Sequence, residues 1–550
     1  MKMLKYHNEK IKLGLIILLI FNFKLGAVIF DFETQNDEII LRGNGNGSGP
    51  SIDNGFLKLI DGGREKNQQN HVIFPVDEQG IHRIWEIDFR MYITRGAEGC
   101  GIALINTDIF TDDSLALNMA KWQEPAFDRS FCLGFDIYNP PTSHWFDEFG
   151  NFYDRPQREI SLHWDDQEIV KVISPFEFRA DPAGEDDFLQ YLLRIEYLVG
   201  GAEISLLIDD NQVFDRYFIP GMQTYPFRLS AGAQTSELTT TVYLDDIRIN
   251  LIEPADPPQK PILINAVVDQ PIFIDTRDSS HQVEFPRENS DFGRVIMNLS
   301  LGEMPGGYDP WDKGGAVYLN EGSTRYELCR FITPYGRGYV WKVDVTDFLP
   351  LFKGRKQLDL HVDTWMKKEE DPMMQKGWVT DIDFEFYHGS PIRKPIAIRN
   401  IWNGFHEYGN PENPLTENLP AQNIRIPEQT SSARLRIVVT GHGMYPNDLN
   451  AGEFMLAGRT VLINDRRYEN LLWKTDCYLN PCRPQGGTWK FDRAGWAPGS
   501  IVMPWLIELD NIVPGDTLNL EYLPDQYLNS SEGDHFRAHH WFESQIIFYR

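Results

Sequence analysis

Carboxylates close to an aromatic ring and an arginine form a set of groups that could hydrolyse a glycan linkage. One carboxylate can activate water or attack directly, and another can orient the substrate or donate a proton. Arginine can bind a carboxylate through two hydrogen bonds or keep it ionised. The second half of the chain offers such groups in four segments: Tyr308–Gly315 with Trp311 and Asp312, Leu358–Trp365 with Asp363, Ala451–Phe454 with Glu453, and Gly487–Gly499 with Arg493.

No single segment identifies a reaction, because the chain contains 80 Asp and Glu residues and an acid beside a tryptophan arises by chance. Solvated turn or edge residues are the alternative interpretation of each segment. A set of such segments in one site would carry more weight than any one of them.

The elements that must hold these residues are predicted to be β-strands. Short apolar or alternating runs are separated by Gly, Pro, Asn and Asp, as in Trp85–Ile93, Ala202–Ile208 and Ile546–Tyr549. Long helical periodicity is absent from the sequence. The pattern therefore predicts an all-β protein built from sandwiches. In Leu358–Trp365, strand alternation would put Asp363 and Trp365 on one face.

Length and charge limit the domain number and the partners. With 550 residues the chain is too long for one compact core. Its net charge of −28 (52 basic against 80 acidic residues) argues against nucleic acid or an anionic membrane as partner.

The N-terminus has the pattern of a secretory signal peptide, assigned to residues 1–27. A basic start precedes the apolar run Leu13–Phe21, and Gly26-Ala27 offers small residues for cleavage. A retained anchor is the alternative. We therefore expect a secreted protein in which disulfides can form.

The five cysteines leave at least one thiol without an intramolecular partner. Cys477 and Cys482 are close enough in sequence for a local bridge. Cys100 and Cys132 could join neighbouring strands, and Cys329 is predicted to be a buried thiol.

Four prolines within Ile252–Pro261 predict a stiff linker. A weaker break falls at Gly389–Pro395. The predicted domains are residues 28–252, a linker over 253–261, and two β-rich units over 262–391 and 392–550.

Residues 28–252 resemble the legume-lectin and laminin-G type jelly rolls, on the segments Gly101–Asn106 and Leu133–Pro140. Members of those families often bind sugar, and some use Ca²⁺ held by Asp and Asn. The residues at corresponding places are Asp136 and Asn139, followed by Asp147 and Asp154. Polar residues that cap a strand and a turn are the alternative, and no metal is predicted.

Residues from about 262 to the C-terminus resemble the peptide:N-glycosidase F family. The resemblance lies in short motifs whose order and spacing fit: Arg330–Tyr335, Val343–Phe348, Asp363–Trp365, Asp381–Tyr387, Asn480-Pro481 and Asp492–Trp496 with Pro498-Gly499. It implies two adjacent eight-stranded jelly rolls with the active site in the cleft between them. It also implies cleavage of the amide bond that links an N-glycan to asparagine, without a metal or other cofactor.

The resemblance assigns roles residue by residue. Asp312 corresponds to the central carboxylate, which faces the scissile glycosylamide and the first sugar. Glu453 would position or activate water, and Arg493 would orient the carboxylates and the substrate. Trp311 and Trp365 would form walls for sugar or peptide.

Three departures from the family pattern affect the predicted site. Asp363 stands where the family has glutamate, so its carboxylate is withdrawn by about 1.5 Å, and a displacement of about 1 Å can cost about a hundredfold in rate. Asp363 would then act through water, or activity would be weaker or altered. His442 replaces the tryptophan of a Gly-Trp-Gly motif and would change a sugar or peptide contact. The family's cysteines are absent at Ala451, Met455 and Ala497, which leaves Cys477 free to pair with Cys482.

Two other functions are compatible with parts of the sequence. Copper monooxygenases that hydroxylate peptidylglycine share the double jelly roll, and His535, His539 and His540 cluster near the C-terminus, but no His-x-His pair is present. A secreted glycan-binding protein whose cleft has lost its activity is the other alternative. The sequence predicts an amidohydrolase acting on N-glycoproteins and glycopeptides. Three roles are open for the N-terminal domain: it could bind glycan, narrow access to the cleft, or serve as a structural platform.

Overall fold

The computed structural model describes residues 27–33, 38–63, 65–75, 81–112, 114–138, 145–146, 152–153, 158–180, 187–258, 260–288, 291–443, 452–528 and 538–550. The predicted signal peptide lies outside these residues except for Ala27. Asn139, Asp147, Asp154, Ala451 and His535 also lie outside them. Within the described part of the chain, no helix is both long and apolar enough to cross a membrane.

The chain begins with a β-sandwich, called here the N-terminal sandwich. One sheet has the order β15-β14-β13-β6-β17-β4-β3 with β1 beside β17, the other has the order β12-β11-β8-β7-β16-β5-β2, and β9 pairs with β10. The strands are β1 Val28–Phe30, β2 Ile40–Gly43, β3 Ser51–Asp53, β4 Phe56–Asp61, β5 Gln69–Ile73, β6 His82–Ile93, β7 Gly99–Asn106, β8 Phe131–Asp136, β9 Trp145–Phe146, β10 Phe152–Tyr153, β11 Glu159–Trp164, β12 Gln167–Ile173, β13 Leu189–Leu198, β14 Gly201–Ile208, β15 Asn211–Pro220, β16 Phe227–Gln234 and β17 Thr241–Pro254.

The first jelly roll follows and contains two four-stranded antiparallel sheets. Their orders are β18-β25-β20-β23 and β19-β24-β21-β22. The strands are β18 Ile262–Ile272, β19 Asp278–Phe285, β20 Phe292–Glu303, β21 Gly314–Glu321, β22 Thr324–Ile332, β23 Tyr339–Asp344, β24 Gly354–Val362 and β25 Trp378–His388.

The second jelly roll repeats this arrangement, with sheet orders β26-β33-β28-β31 and β27-β32-β29-β30. Its strands are β26 Pro395–Glu407, β27 Gln422–Arg425, β28 Ser432–His442, β29 Ala457–Ile463, β30 Arg466–Leu472, β31 Trp505–Asp510, β32 Thr517–Pro524 and β33 His539–Tyr549. The helices are short: α1 Leu115–Met119, α2 Leu415–Asn418 and 3₁₀ turns at Ile274–Thr276, Thr346–Leu351, Pro372–Met374 and Cys477–Leu479.

The predicted fold class is confirmed: the protein is all-β, with a sandwich followed by two eight-stranded jelly rolls. Alternation is clear in β24, where Leu358, Leu360 and Val362 are buried and the residues between them are half-buried. Strand β17 continues to Pro254, so the start of the predicted linker is part of the sheet. The domain boundaries themselves stay a prediction.

The contact between the jelly rolls is buried and rich in charge. Arg330 is fully buried, pairs with Glu327 in its own strand (Nη2 to Oε2 2.7 Å), and donates to the Trp541 carbonyl of the second jelly roll at 2.6 Å. Arg436 reaches in the other direction and donates to the Glu327 carbonyl at 3.3 Å. Buried charges need such partners, and these bonds fix the two jelly rolls side by side.

The N-terminal sandwich also contacts the second jelly roll directly. Arg483 forms two hydrogen bonds to Glu168 of β12 and lies 3.4 Å from Glu124. The same two acids surround the buried Lys171. Lys171 of the N-terminal sandwich and Arg483 of the second jelly roll therefore share the carboxylates of Glu124 and Glu168.

All five cysteines are buried free thiols, so the predicted Cys477–Cys482 bridge is not formed. The Cys477 Sγ lies near the carbonyl oxygens of Lys474 and Trp496, and burial raises the pKa of both thiols to about 12. Cys100 and Cys132 do lie in neighbouring strands. However, Cys132 is opposite Ala103 and Cys100 is opposite Phe135, so the register keeps the two thiols apart. Cys329 is buried as predicted.

Candidate active site

The end of strand β28 positions the segment that carries Glu453. The Gly441 amide donates to the Ala494 carbonyl at 3.0 Å, the Ala494 amide donates to the Glu453 carbonyl at 2.8 Å, and the Glu453 amide donates to the Gly443 carbonyl at 3.1 Å. This ladder ties two separate loops to one strand end. Residue 441 must be glycine there, since a Cβ would lie 2.0 Å from the Gly452 carbonyl oxygen.

The loop that carries Arg493 is also joined to the first jelly roll. The Ile332 amide donates to the Ser500 carbonyl and the Gly499 amide donates to the Ile332 carbonyl, both at 2.9 Å. The Val502 amide donates to the Arg330 carbonyl at 2.8 Å. The hydrogen bonds of Gly499, Ser500 and Val502 therefore connect this loop to the first jelly roll.

The Arg493 side chain is fully buried and its donors have fixed acceptors. Nη1 donates to Glu453 Oε1 at 2.9 Å, Nε to the Phe491 carbonyl at 3.2 Å, and Nη2 to the Thr488 carbonyl and hydroxyl. The guanidinium lies over the ring of Trp496, 4.6 Å from its centroid. These contacts hold one orientation of the planar guanidinium.

Asp312 comes from the loop between β20 and β21 of the first jelly roll. The buried Asp309 fixes this loop by accepting from the Trp311 amide at 3.0 Å and from the Thr364 hydroxyl at 2.8 Å. The second bond joins the Asp312 loop to the segment after β24, which carries Asp363. Two of the predicted acidic segments are therefore held together by a buried carboxylate that is not itself in the pocket lining.

Arg493 brings the two predicted carboxylates together. Its Nη1 lies 2.9 Å from Glu453 and 3.6 Å from Asp312 Oδ2. The side chains of Asp312 and Glu453 are only 16% and 20% exposed. The structure thus places two half-buried carboxylates from different jelly rolls against one buried guanidinium.

Burial raises the pKa of Asp312, although Arg493, a hydrogen bond from Tyr335 and the Lys313 ammonium act in the opposite direction. The Tyr335 hydroxyl is also 3.2 Å from the Thr488 hydroxyl. Burial, followed by the Asp312 charge, raises the pKa of Tyr335 to about 12. Tyr335 is therefore a neutral donor to Asp312 at physiological pH.

These groups border a pocket of about 160 Å³ between the jelly rolls. It is lined by residues of both: Asp312, Lys313, Gly314, Ile332, Asp363, Trp365, His442, Glu453 and Trp496. Five of the seven predicted site residues are in this lining. Arg493 lies behind it, bonded to Glu453, and Trp311 lies outside it with 53% of its surface exposed.

Asp363 lies at the rim of the pocket. Its side chain is 67% exposed, and Arg277 Nη1 is 3.9 Å away. Its amide donates to the Gly314 carbonyl at 2.8 Å, which holds the backbone beside the Asp312 loop. Among the described residues Asp363 forms no ion pair with Arg493, so it is not part of the Asp312–Arg493–Glu453 cluster.

His442 is a neutral side chain packed among aromatic rings. Its Nε2 is 2.7 Å from the Thr440 hydroxyl, and its ring stacks on Trp496 with centroids 5.6 Å apart. Burial, with Arg330 and His539 nearby, lowers its pKa to about 3. It lines the pocket as a neutral side chain.

Two groups in this site, Tyr335 and Lys313, were not predicted from the sequence. Tyr335 is the last residue of the Arg330–Tyr335 motif, and Lys313 directly follows Trp311 and Asp312. Their importance comes from burial against Asp312, which the residue pattern does not report. The sequence does show that Lys313 directly follows the predicted active-site Asp312, and this adjacency was a signal that could have identified it.

The C-terminal histidines serve packing in the part of the chain that the structure describes. His539 stacks on Phe405 at 4.7 Å and His540 stacks on Tyr408 at 4.2 Å between ring centroids. Among the described residues, no three His, Cys, Asp or Glu side chains are placed to hold a metal ion.

A second pocket, called here the seam pocket, lies between the N-terminal sandwich and the second jelly roll. Its volume is about 480 Å³, and its lining comes from both units: Lys121, Glu124, Ala126, His163, Glu168, Pro481, Arg483, Pro484 and Trp489. His163 is buried and burial lowers its pKa to about 4, so it is neutral. Its Nε2 contacts the Ser161 hydroxyl at 2.8 Å, and its Nδ1 has no hydrogen-bond partner among the described residues.

Parts of this chain are similar to known proteins. The family model described as "Peptide-N-glycosidase F, C terminal" matches residues 412–545. A solved structure of PNGase F, a glycosylasparaginase from Flavobacterium meningosepticum, is 25% identical, with 53% of this chain and 96% of that chain covered and a TM-score of 0.47. The Ca²⁺/Man3GlcNAc-bound VIP36 exoplasmic/lumenal domain is 13% identical, with 42% of this chain and 90% of that chain covered and a TM-score of 0.30.

A related protein shows a longer stretch of sequence similarity. The peptide-N(4)-(N-acetyl-beta-D-glucosaminyl)asparagine amidase F of Elizabethkingia miricola is 31% identical over 247 residues, which are 42% of this chain and 67% of that protein. Because this identity extends over two thirds of the relative, the chain belongs to the peptide:N-glycosidase F family.

Proposed function

We propose that this protein is a secreted amidohydrolase that releases N-linked glycans from asparagine in glycoproteins or glycopeptides. The observation that carries the proposal is the contact of Arg493 with both Asp312 and Glu453 in a pocket between two jelly rolls. The activity in the name of the 31% identical relative supports it. The products are a glycosylamine and a peptide in which aspartate replaces asparagine.

Asp312 is the general base and acid of the proposed reaction. Its raised pKa makes the ionised carboxylate a stronger base than an ordinary aspartate, which suits proton removal from water. Water loses a proton to Asp312 and its oxygen bonds to the amide carbon, while the carbonyl electron pair moves to oxygen. When this pair returns, the bond from carbon to the glycosyl nitrogen breaks, and the proton on Asp312 passes to that nitrogen.

Glu453 and Arg493 position the attacking water and the base. Glu453 accepts from Arg493 at 2.9 Å and is 20% exposed, so part of its carboxylate faces the pocket and can hold a water molecule. Arg493 opposes the effect of burial on the pKa of Asp312 and holds the two carboxylates close to each other. This hydrolysis uses carboxylates without a metal ion.

Trp365, His442 and Asp363 are the proposed contacts to the substrate within the pocket. The indole of Trp365 is 59% exposed and offers a flat face to a sugar ring. The His442 imidazole offers a neutral hydrogen-bonding edge. Trp311, exposed beside the pocket, is a contact for the more distant peptide or sugar.

The proposal is tested by incubating the purified protein with a denatured N-glycoprotein. We expect free glycan, a shift in gel mobility, and the mass change of asparagine to aspartate at the former attachment site. Activity in the medium of expressing cells tests the predicted secretion. Binding to glycan arrays without any release would overturn the amidase and favour the glycan-binding alternative.

We propose that the seam pocket holds outer sugars of the same glycan. It offers an indole (Trp489), a neutral imidazole with an unpartnered nitrogen (His163) and carboxylates, which suit a neutral polyhydroxy ligand. Thr488, which bonds to Arg493 and Tyr335, is the neighbour of Trp489. Trp489 of the seam pocket and Trp496 of the active-site pocket therefore lie in the same loop, Gly487–Gly499.

Filling the seam pocket with a larger side chain should slow the release of extended glycans only. We expect Ala126→Trp to lower kcat/KM for an extended glycan by about tenfold, or about 1.4 kcal/mol. Release from a glycopeptide trimmed to its two core sugars should be unchanged, and this substrate is the control. Equal loss on both substrates, or no loss on either, would contradict a glycan site at the seam.

Asp363→Glu should raise activity if the short side chain at the rim is a defect. The extra methylene brings the carboxylate about 1.5 Å further, toward the pocket that Asp363 lines. We expect kcat/KM on a glycopeptide to rise about tenfold, within the range that 1 Å displacements cost. Asp275→Glu, an exposed position on the same jelly roll, is the control. A fall in kcat/KM would show that the site has adapted to aspartate.

A further inference from the structure

Lys313 is a buried cation in the lining of the active-site pocket. The residue is 3% exposed, and its ammonium has no hydrogen-bond partner among the described residues. A buried ammonium without such bonds is costly, because it loses its hydration. An unpartnered ammonium at the edge of a pocket indicates a partner that arrives with the substrate.

The backbone on both sides of Lys313 is fixed, so its side chain starts from a defined place. The Lys313 amide donates to the Thr333 hydroxyl at 2.8 Å, and the Thr333 amide donates to the Lys313 carbonyl at 2.9 Å. The ammonium lies over the face of Trp365, which supplies a cation–π attraction without using an N–H bond. The three N–H donors of the ammonium have no hydrogen-bond acceptor among the described residues.

The charged groups around Lys313 come from three elements. Asp309 and Asp312 lie in its own loop, and Asp363 lies after β24. Glu453 lies across the pocket in the second jelly roll, backed by Arg493. His442, also across the pocket, is neutral. The carboxylates keep a cation in this place while none of them accepts a hydrogen bond from it in the described structure.

We propose that Lys313 is a further catalytic residue, whose ammonium donates a hydrogen bond to the carbonyl oxygen of the scissile amide. This inference rests on the proposed amidase function. When water adds to the carbon, the carbonyl electron pair moves to the oxygen, and the oxyanion is stabilised by the ammonium. When the pair returns, the bond from carbon to the glycosyl nitrogen breaks, and Lys313 keeps its proton throughout.

Arg493 is less suited to this task, although it is the stronger cation. Its Nε and Nη2 donate to backbone carbonyls of its own loop, and Nη1 faces Glu453 and Asp312. Its side chain is completely buried behind those carboxylates. Among the described pocket residues, Lys313 is therefore the cation that has donors left for the substrate.

The proposal has a pH signature. Burial lowers the pKa of Lys313 to about 8, although Asp309, Asp312 and Asp363 act in the opposite direction. The ammonium is protonated below this value and loses its charge above it. Because kcat/KM reports on the free enzyme, we expect it to fall as pH rises through about 8.

Lys313→Met and Lys313→Arg together test the role in the full-length protein. We expect Lys313→Met to lower kcat by about 10²- to 10³-fold, as loss of one oxyanion donor does, with KM nearly unchanged. Lys313→Arg keeps a charged donor, so it should retain more activity and lose the fall of kcat/KM near pH 8. Lys368→Met, at an exposed position after Trp365, is the control, and thermal unfolding checks each fold.

Two outcomes would overturn the inference. One is a Lys313→Met variant within about twofold of the wild type in kcat, since a lost oxyanion donor costs far more. The other is a Lys313→Arg variant that keeps the alkaline fall. Failure of the proposed amidase function can be distinguished from failure of the Lys313 role, because the wild-type protein itself would then release no glycan.

Discussion

Asp312→Asn should abolish glycan release without unfolding the protein. The amide cannot accept a proton from water or return it to the glycosyl nitrogen, and loss of general acid–base catalysis costs about 10²- to 10⁴-fold. Because Asp312 also lies within 3.6 Å of Arg493, we expect the upper part of this range. The measurement is single-turnover release from a labelled glycopeptide.

The direction in which Asp312→Asn changes the stability of the protein can also be predicted. Burial raises the pKa of Asp312 in the folded state, so the ionised form is less favourable in the folded than in the unfolded chain. The charge thus lowers stability at pH values above its folded pKa, and this cost disappears as pH falls. The asparagine side chain of the variant carries no charge, so the midpoint of thermal unfolding at neutral pH should stay equal or rise.

Asp275→Asn is the matched control, since this aspartate is exposed on the same jelly roll. It should keep wild-type release and stability. If Asp312→Asn releases glycan at the wild-type rate, the assignment of Asp312 is wrong and the base must be another group. If it unfolds, the loss of activity would report on folding and the pKa argument would fail.

The sequence was sufficient for the fold class because strand periodicity is a local property. In β24, the alternation of buried leucines with half-buried polar residues can be read from residues 358–362 alone. The cysteine pairings were wrong for the opposite reason. Whether Cys100 meets Cys132 depends on the register of β7 against β8, and neighbouring strands alone do not fix register.

The sequence predicted those site residues that match short family motifs, and it did not predict the others. Asp312, Glu453 and Arg493 were proposed from short matches in order, and the structure brings them together. Tyr335 and Lys313 were missed, because their burial depends on bonds between loops far apart in sequence. The Thr364 to Asp309 bond spans 55 positions, and the contact between the Tyr335 and Thr488 hydroxyls spans 153.

Arg493→Met and Glu453→Gln should each lower kcat/KM by about 10²- to 10³-fold, equal to about 2.7–4 kcal/mol. Arg493→Met removes the partner of two carboxylates, one of them 2.9 Å away. It also leaves the Thr488 and Phe491 carbonyls without their guanidinium donors. Glu453→Gln keeps the shape of the side chain but weakens a charge-assisted hydrogen bond to a neutral one.

The double variant Arg493→Met/Glu453→Gln shows whether the two residues act together in catalysis or contribute separately. If Arg493 acts by holding Glu453 and Asp312, removing both partners should cost little more than removing one, because residues that act together are not additive. Arg493→Lys should recover little activity, since an ammonium cannot reproduce the fork that reaches Glu453 and Thr488 at once. Arg467→Met, an exposed arginine on β30, should behave as wild type. Losses that multiply in the double variant would mean that Arg493 contacts the substrate independently, and the turn Ala494–Gly499 would then position a binding residue and not the carboxylate pair.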